Sequence, residues 1–352
     1  MVATTRRLAL CAIGSGLAFL AGCADASDEP AGDDGSSDGS DDGGPADTAS
    51  IPLGDLPPFA TAFPAAVETP FFGAVDLASM ANAFEGPADG EESEGVEPTD
   101  PLLRNPLVGL LTGFSFLLGL GFTAAASVQD ANDETEDGGW LVVTDETAVL
   151  VGAYDLAGIS DDASAAGFDA VRDDADGVVF ADENGGYAVG ASADLFAISF
   201  ANEALPALDP VAAVERHVEA ATGETALKHE RDEAFERLLR TTAADGIVVG
   251  LYGDGDRLEE TPVPSGDDLA IDASAFAGAV GVSQHLEMET GGNGALARAT
   301  VHYDHEEAVD EPRLEASLGT QAQSTSLTRD GTTVRIDAEY DGETVDEFDE
   351  LE

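Results

Sequence analysis

Hydrophobic and polar positions along this chain change period several times, and the changes mark out its elements. The clearest alternation begins at Gly139. Residues 140–144 and 148–155 are β-rich runs around a short Asp145-Glu146 turn and predict a hairpin. Residues 178–181 and 187–191 flank Glu183-Asn184-Gly185-Gly186, whose Asn-Gly pair supplies the positive backbone angles of a tight hairpin turn. Residues 195–200 predict another strand, and 246–252 is so uniformly apolar that it reads as an interior strand. Further strands are expected at 71–80, 275–288 and 296–304, with a last hairpin of 325–328 and 333–340 around Arg329-Asp330-Gly331.

Between these runs the period lengthens to that of a helix. Asp209 is placed to cap a helix opened by Pro210; Val211, Val214, Val218 and Ala221 form one face and Gly223 stops it. His217 lies beside that face and reads as a surface residue. Residues 230–240 predict a second helix burying Phe235, Leu238 and Leu239. Ser160 stands where a cap belongs, ahead of a short helix over 161–166 ended by Gly167. Asp310 and Pro312 open a helix that Gly319 ends. Residues 107–128 carry no charge over 22 positions, long enough to cross a bilayer. Gly109, Gly113, Gly119 and Gly121 dilute the run, as do Thr112, Ser115, Thr123 and Ser127. A buried helix broken near Gly119–Gly121 is the expectation, with a membrane span as the alternative.

The fold class that follows is α+β, with antiparallel sheets made of β-hairpins and helices packed on them. Each half reads strand, strand, helix, strand, strand, with Tyr154-Asp155 and Tyr303-Asp304 at corresponding places, a pattern of duplication. The expected organisation is a leader over 1–23, an acidic tether over 24–50, a main α+β domain over 51–252, a smaller β-rich unit over 253–342 and an acidic tail over 343–352.

Charge changes this picture most. The chain has 71 Asp plus Glu against 14 Lys plus Arg, and Lys228 is its one lysine. A net charge of −57 repels the folded state apart unless salt screens it, and at 1 M the Debye length is only about 3 Å. The 43% hydrophobic content in periodic runs argues against a disordered acidic chain. Without a basic patch to neutralise phosphates, nucleic acid is excluded as a partner. Residues 24–50 are almost all Ala, Asp, Gly and Ser and read as a solvated tether.

The first 23 residues supply an address. Arg6-Arg7 precedes the apolar run 8–20, and Leu20-Ala21-Gly22-Cys23 closes it. This stretch resembles a twin-arginine signal ending in a lipobox, and lysine scarcity with abundant aspartate resembles secreted proteins of extremely halophilic archaea. Together they resemble twin-arginine-exported lipoproteins of those organisms. The resemblance implies that Cys23 becomes the lipidated first residue, anchoring the protein on the extracellular face of the cell membrane. Cleavage removes Arg6 and Arg7, taking the net charge from −57 to −59. With Cys11 also removed, the body contains no thiol for metal or redox chemistry.

Catalytic patterns are absent. Gly190-Ala191-Ser192-Ala193-Asp194 lacks the closing glycine of a nucleophile elbow, and His305-Glu306 begins a zinc-protease pattern that Val309 ends. Asp254-Gly255-Asp256 opens like a calcium loop, but Leu258 takes the next ligand position. The residual cluster is His302, Asp304 and His305: on a strand His302 and Asp304 share a face, on a helix His302, His305 and Glu306 do, and either arrangement suits a divalent ion. No cofactor is indicated. The functional expectation is a non-catalytic, membrane-anchored surface lipoprotein that binds a protein or small-molecule partner or supports the envelope. The alternative is a secreted hydrolase or divalent-metal-dependent enzyme.

Overall fold

The computed structural model describes residues 50–68, 71–77, 99–119, 139–201, 205–253, 271–289 and 294–342. Arg6, Arg7, Cys23, the tether, the acidic loop before Thr99, Asp254-Gly255-Asp256 and the tail lie outside them. From Ile51 the chain forms one compact unit. Its strands are β1 (Phe71–Asp76), β2 (Trp140–Thr144), β3 (Ala148–Val151), β4 (Asp169–Asp173), β5 (Gly177–Ala181), β6 (Tyr187–Ser192), β7 (Leu195–Phe200), β8 (Ile247–Tyr252), β9 (Ala279–Met288), β10 (Gly294–Tyr303), β11 (Ser324–Asp330) and β12 (Thr333–Asp341). The helices are α1 (Pro101–Gly119), α2 (Leu156–Ala165), α3 (Pro210–Ala221), α4 (Glu233–Arg240) and α5 (Glu311–Ser317).

All 12 strands join a single antiparallel sheet, in the order β11-β12-β10-β9-β8-β1-β2-β3-β7-β6-β5-β4. The class is α+β as expected, with one sheet in place of several. It runs without a break across the expected boundary at 252/253, because β8 pairs with β9. The predicted hairpins β2–β3, β5–β6 and β11–β12 all form, and their turns are set by local chemistry: Gly185 and Gly331 sit at φ 67° and 59°, conformations that glycine adopts without strain.

Alternation along the strands divides the core between two faces. The front face bears α1, α2 and α5. Phe71 and Val75 of β1, Leu251 of β8 and Leu286 of β9 meet Leu102, Leu103 and Leu110 of α1 there, and Leu141, Phe180 and Phe196 meet Ile159 of α2. The rear face bears α3 and α4. Phe72, Trp140 and Val248 lie under Phe59, Phe63 and Phe235, with ring centroids 4.8 Å apart for Phe59–Trp140 and 5.3 Å for Phe63–Phe235. Residues 51–67 thus complete the core as an outer layer. Lys228 clamps that layer: its Nζ donates to Val67 O at 2.9 Å and lies 5.3 Å from the Phe235 ring centroid.

Glycines mark where helices meet the sheet most closely. A Cβ on Gly190 would fall 2.6 Å from Val214 Cγ1 and 2.9 Å from Val178 O, so α3 seats on bare backbone there. On the front face, a Cβ on Gly109 of α1 would fall 2.5 Å from Val249.

Several expectations shift. The apolar helix opens at Pro101, not Leu107, because Asp100 caps it by accepting from Leu102 N at 3.1 Å; residues 120–128 lie outside the described residues. Among the described residues no helix is long and apolar enough to cross a membrane. Strand β3 stops at Val151, and Asp155 rather than Ser160 caps α2, accepting from Ala157 N at 3.1 Å. Ser160 falls inside that helix. Helix α4 begins at Glu233 behind Asp232, after a separate turn at Lys228–Glu230. Strand β4 was not anticipated: its Asp-Ala-Val-Arg-Asp run is exposed on both faces, and a register shift between Ala170 and Arg172 breaks its pairing with β5. His217 is corrected from surface to core, at 2% exposure; its Nε2 lies 2.8 Å from Thr147 Oγ1.

Candidate functional site

In the wing formed by β9, β10, β12 and β11, successive side chains of β10 and β12 go to opposite faces. On its front face β10 places Ala295, Ala297, Ala299, Val301 and Tyr303 in the core, against Val334, Ile336, Ala338 and Tyr340 of β12. Period two then forces Leu296, Arg298, Thr300 and His302 to the rear. The rear residues of β12 are Thr333, Arg335, Asp337 and Glu339, and β9 adds Ser283, His285 and Glu287. This rear surface is polar. Helix α4 reaches only its inner part, and towards the edge Leu296 is 42% exposed while Ser324, Ser326 and Glu339 are also exposed.

The inner part is a hydrogen-bonded network. His302 Nε2 lies 3.0 Å from Thr241 Oγ1, and Nδ1 lies 3.2 Å from Thr333 Oγ1. Thr241 sends its one hydroxyl proton to Leu238 O at 2.9 Å. Nε2 must therefore be the donor, and in the neutral imidazole that burial favours, Nδ1 accepts from Thr333. Burial, and next the charge of Arg237, push its pKa down to about 4. Thr242 Oγ1 lies 2.7 Å from Ser283 Oγ. His285 Nε2 lies 3.1 Å from Asp245 Oδ1 without hydrogen-bond geometry, and burial lowers its pKa against the pull of Asp245.

Of the three candidate metal ligands, the structure thus buries His302 and commits both its nitrogens to threonines. Asp304 and His305 follow the end of β10 and are exposed. Among the described residues no group of three or more His, Cys, Asp or Glu is placed to hold a metal ion.

Next to this network lie groups that sequence reading did not single out. Arg298 Nε donates to Asp337 Oδ1 at 2.6 Å. Thr300 is 1% exposed and its Oγ1 has no hydrogen-bond partner; Arg335 Nε is also buried without one. Burial, and then nearby Arg298, lower the Arg335 pKa, with Asp337 opposing. Chemically the face offers hydroxyl and guanidinium donors. The one sequence signal for it was the Arg-x-Thr-x-His alternation of β10, which shows a shared face but not what lies opposite.

No family model matches this chain, and no curated protein matches it. A solved structure, crystal form I of TP0453, is similar over 85% of this chain and 96% of that one, with a TM-score of 0.36 and 8% identity. A likeness of that degree establishes neither kinship nor function.

Proposed function

We propose that this protein is a twin-arginine-exported lipoprotein of the halophilic archaeal type, held on the extracellular face of the cell membrane through Cys23. Its folded domain serves as a non-catalytic binding module carried on the acidic tether. The observation that carries the binding role is the rear face of the β9–β12 wing. Elsewhere α3, α4 and residues 51–67 cover the rear of the sheet with apolar side chains, whereas here the face is polar and half open. A polar, half-open face with two idle donors behind it suits recognition of a partner.

The address rests on Arg6, Arg7 and the lipobox, and the acidic composition fits a saline exterior. The topology also supports duplication. From the central β1–β8 pair, neighbours follow as β1-β2-β3-β7-β6 on one side and β8-β9-β10-β12-β11 on the other. Helices α2 and α5 take the same place in each half, and Tyr154 and Tyr303 are both buried against the front face. On this reading β4 and β5 are an addition to the first half.

Mass spectrometry of the full chain extracted from the membrane of a halophilic host tests the address. Loss of residues 1–22 and added lipid mass on Cys23 are expected; a mature chain beginning elsewhere, or one without lipid, would refute it. Circular dichroism on dilution from multimolar salt to about 0.1 M should show loss of structure as screening fails.

A further inference from the structure

Strands β9, β10 and β12 bring Ser283, Thr300 and Arg335 into one row across the rear face, Thr300 standing opposite both others. Side chains directly opposite in an antiparallel pair have Cβ atoms about 5 Å apart. Leaving a buried hydroxyl unbonded is costly, so idle donors are rare. Here two occupy adjacent positions: Thr300 Oγ1 and Arg335 Nε. Arg335 is unusual in a second way. Acids outnumber bases by 71 to 14, yet among the described residues no carboxylate forms an ion pair with this half-buried guanidinium. Asp337, the nearby acid, is already taken by Arg298.

We propose that this row binds a carboxylate group of a ligand, Arg335 supplying the counter-charge and Thr300 its hydroxyl. The inference rests on reading the wing as a binding face and names what that face binds. One uncompensated cation matches a monoanion, and the planar guanidinium fork matches a carboxylate. A dianionic phosphate would meet Asp337 and Glu339 on the same face without a second free cation to offset them. Both idle atoms are sealed from solvent, so the Arg335 side chain must change rotamer to admit the ligand. Its half-buried position leaves it room to do so.

The test titrates the full chain in multimolar KCl with acetate and, separately, with inorganic phosphate, by calorimetry and by hydrogen exchange. Saturable acetate binding is expected, with slowed exchange in β9, β10 and β12. Arg335→Gln should weaken it at least tenfold, and Arg335→Lys and Thr300→Val severalfold. Thr300→Val should leave the unfolding midpoint unchanged or raise it, since the hydroxyl makes no bond in the fold. That variant therefore keeps the test open even if an Arg335 variant folds poorly. Absence of acetate binding, or acetate binding indifferent to both Arg335→Gln and Thr300→Val, would overturn the proposal. Phosphate binding on the wing without acetate binding would overturn the carboxylate class while leaving the wing a binding face. Protection only elsewhere on the molecule would overturn both.

Discussion

Replacing Asp100 by alanine removes the acceptor that ties the first helix to the far wing. Asp100 is fully buried, and its carboxylate accepts from Leu102 N at 3.1 Å, Gly319 N at 3.1 Å, Gln321 N at 3.2 Å and Tyr340 OH at 2.9 Å. It thus caps α1, fixes the turn after α5 and holds the end of β12. An alanine leaves four donors without an acceptor, in a place with little room for water. At about 1 kcal/mol for each donor left unmet, the loss is about 4 kcal/mol, a large share of a domain's usual margin. Asp100→Asn keeps the volume but turns an amide NH2 toward donors, and about 3 kcal/mol is expected. Tyr340→Phe removes one donor and leaves the other three bonds, so about 1 kcal/mol is expected. Urea unfolding in multimolar KCl, followed by the fluorescence of Trp140, reads all three. Trp140 is the chain's single tryptophan and is buried against Phe59, so it reports core opening. If Asp100→Ala cost no more than Tyr340→Phe, the carboxylate would not be the organising acceptor and the reasoning would fail.

Two further outcomes follow from the same physics. Gly190→Ala puts a methyl 2.6 Å from Val214 and 2.9 Å from the Val178 carbonyl, and the backbone contact cannot yield cheaply; urea unfolding should show a loss of about 2–3 kcal/mol. His217 and His302 are held neutral, each with its pKa pushed down to about 4, chiefly by burial. The unfolded chain binds those protons from about pH 6.5 downward, so stability is full above that pH and falls as pH drops toward 4, by about 3 kcal/mol for each histidine. Asp145 works the other way: burial and Glu146 raise its pKa to about 6, so stability is lost as pH rises from about 4 to 6 and the full penalty stands above that. Asp145→Asn should therefore stabilise the protein at pH 7, and His217→Asn with His302→Asn should flatten the acid limb of the midpoint-against-pH curve. An acid limb unchanged by the paired substitution would refute the histidine assignment.

What the sequence determined by itself was local. The hairpins at Gly185 and Gly331 and the helix stops at Gly223 and Gly319 were legible because a few adjacent residues dictate each. The caps at Asp209 and Asp310 were legible for the same reason. The cap of α2 was misplaced at Ser160, because Asp155, read as the end of a strand, takes that role once Ile159 packs on the sheet. Strand β4 was illegible because an edge strand exposed on both faces carries no hydrophobic period. His217 was misread because a polar side chain beside an apolar face is buried once a hydroxyl waits opposite, and Thr147 lies far away in the chain. The candidate site escaped the sequence for the same physical reason. Thr300 and Arg335 are unremarkable singly; only the register of β10 against β12 sets an idle hydroxyl beside an unpaired guanidinium. Period two assigns side chains to faces, but the tertiary fold alone decides which of those faces stays uncovered.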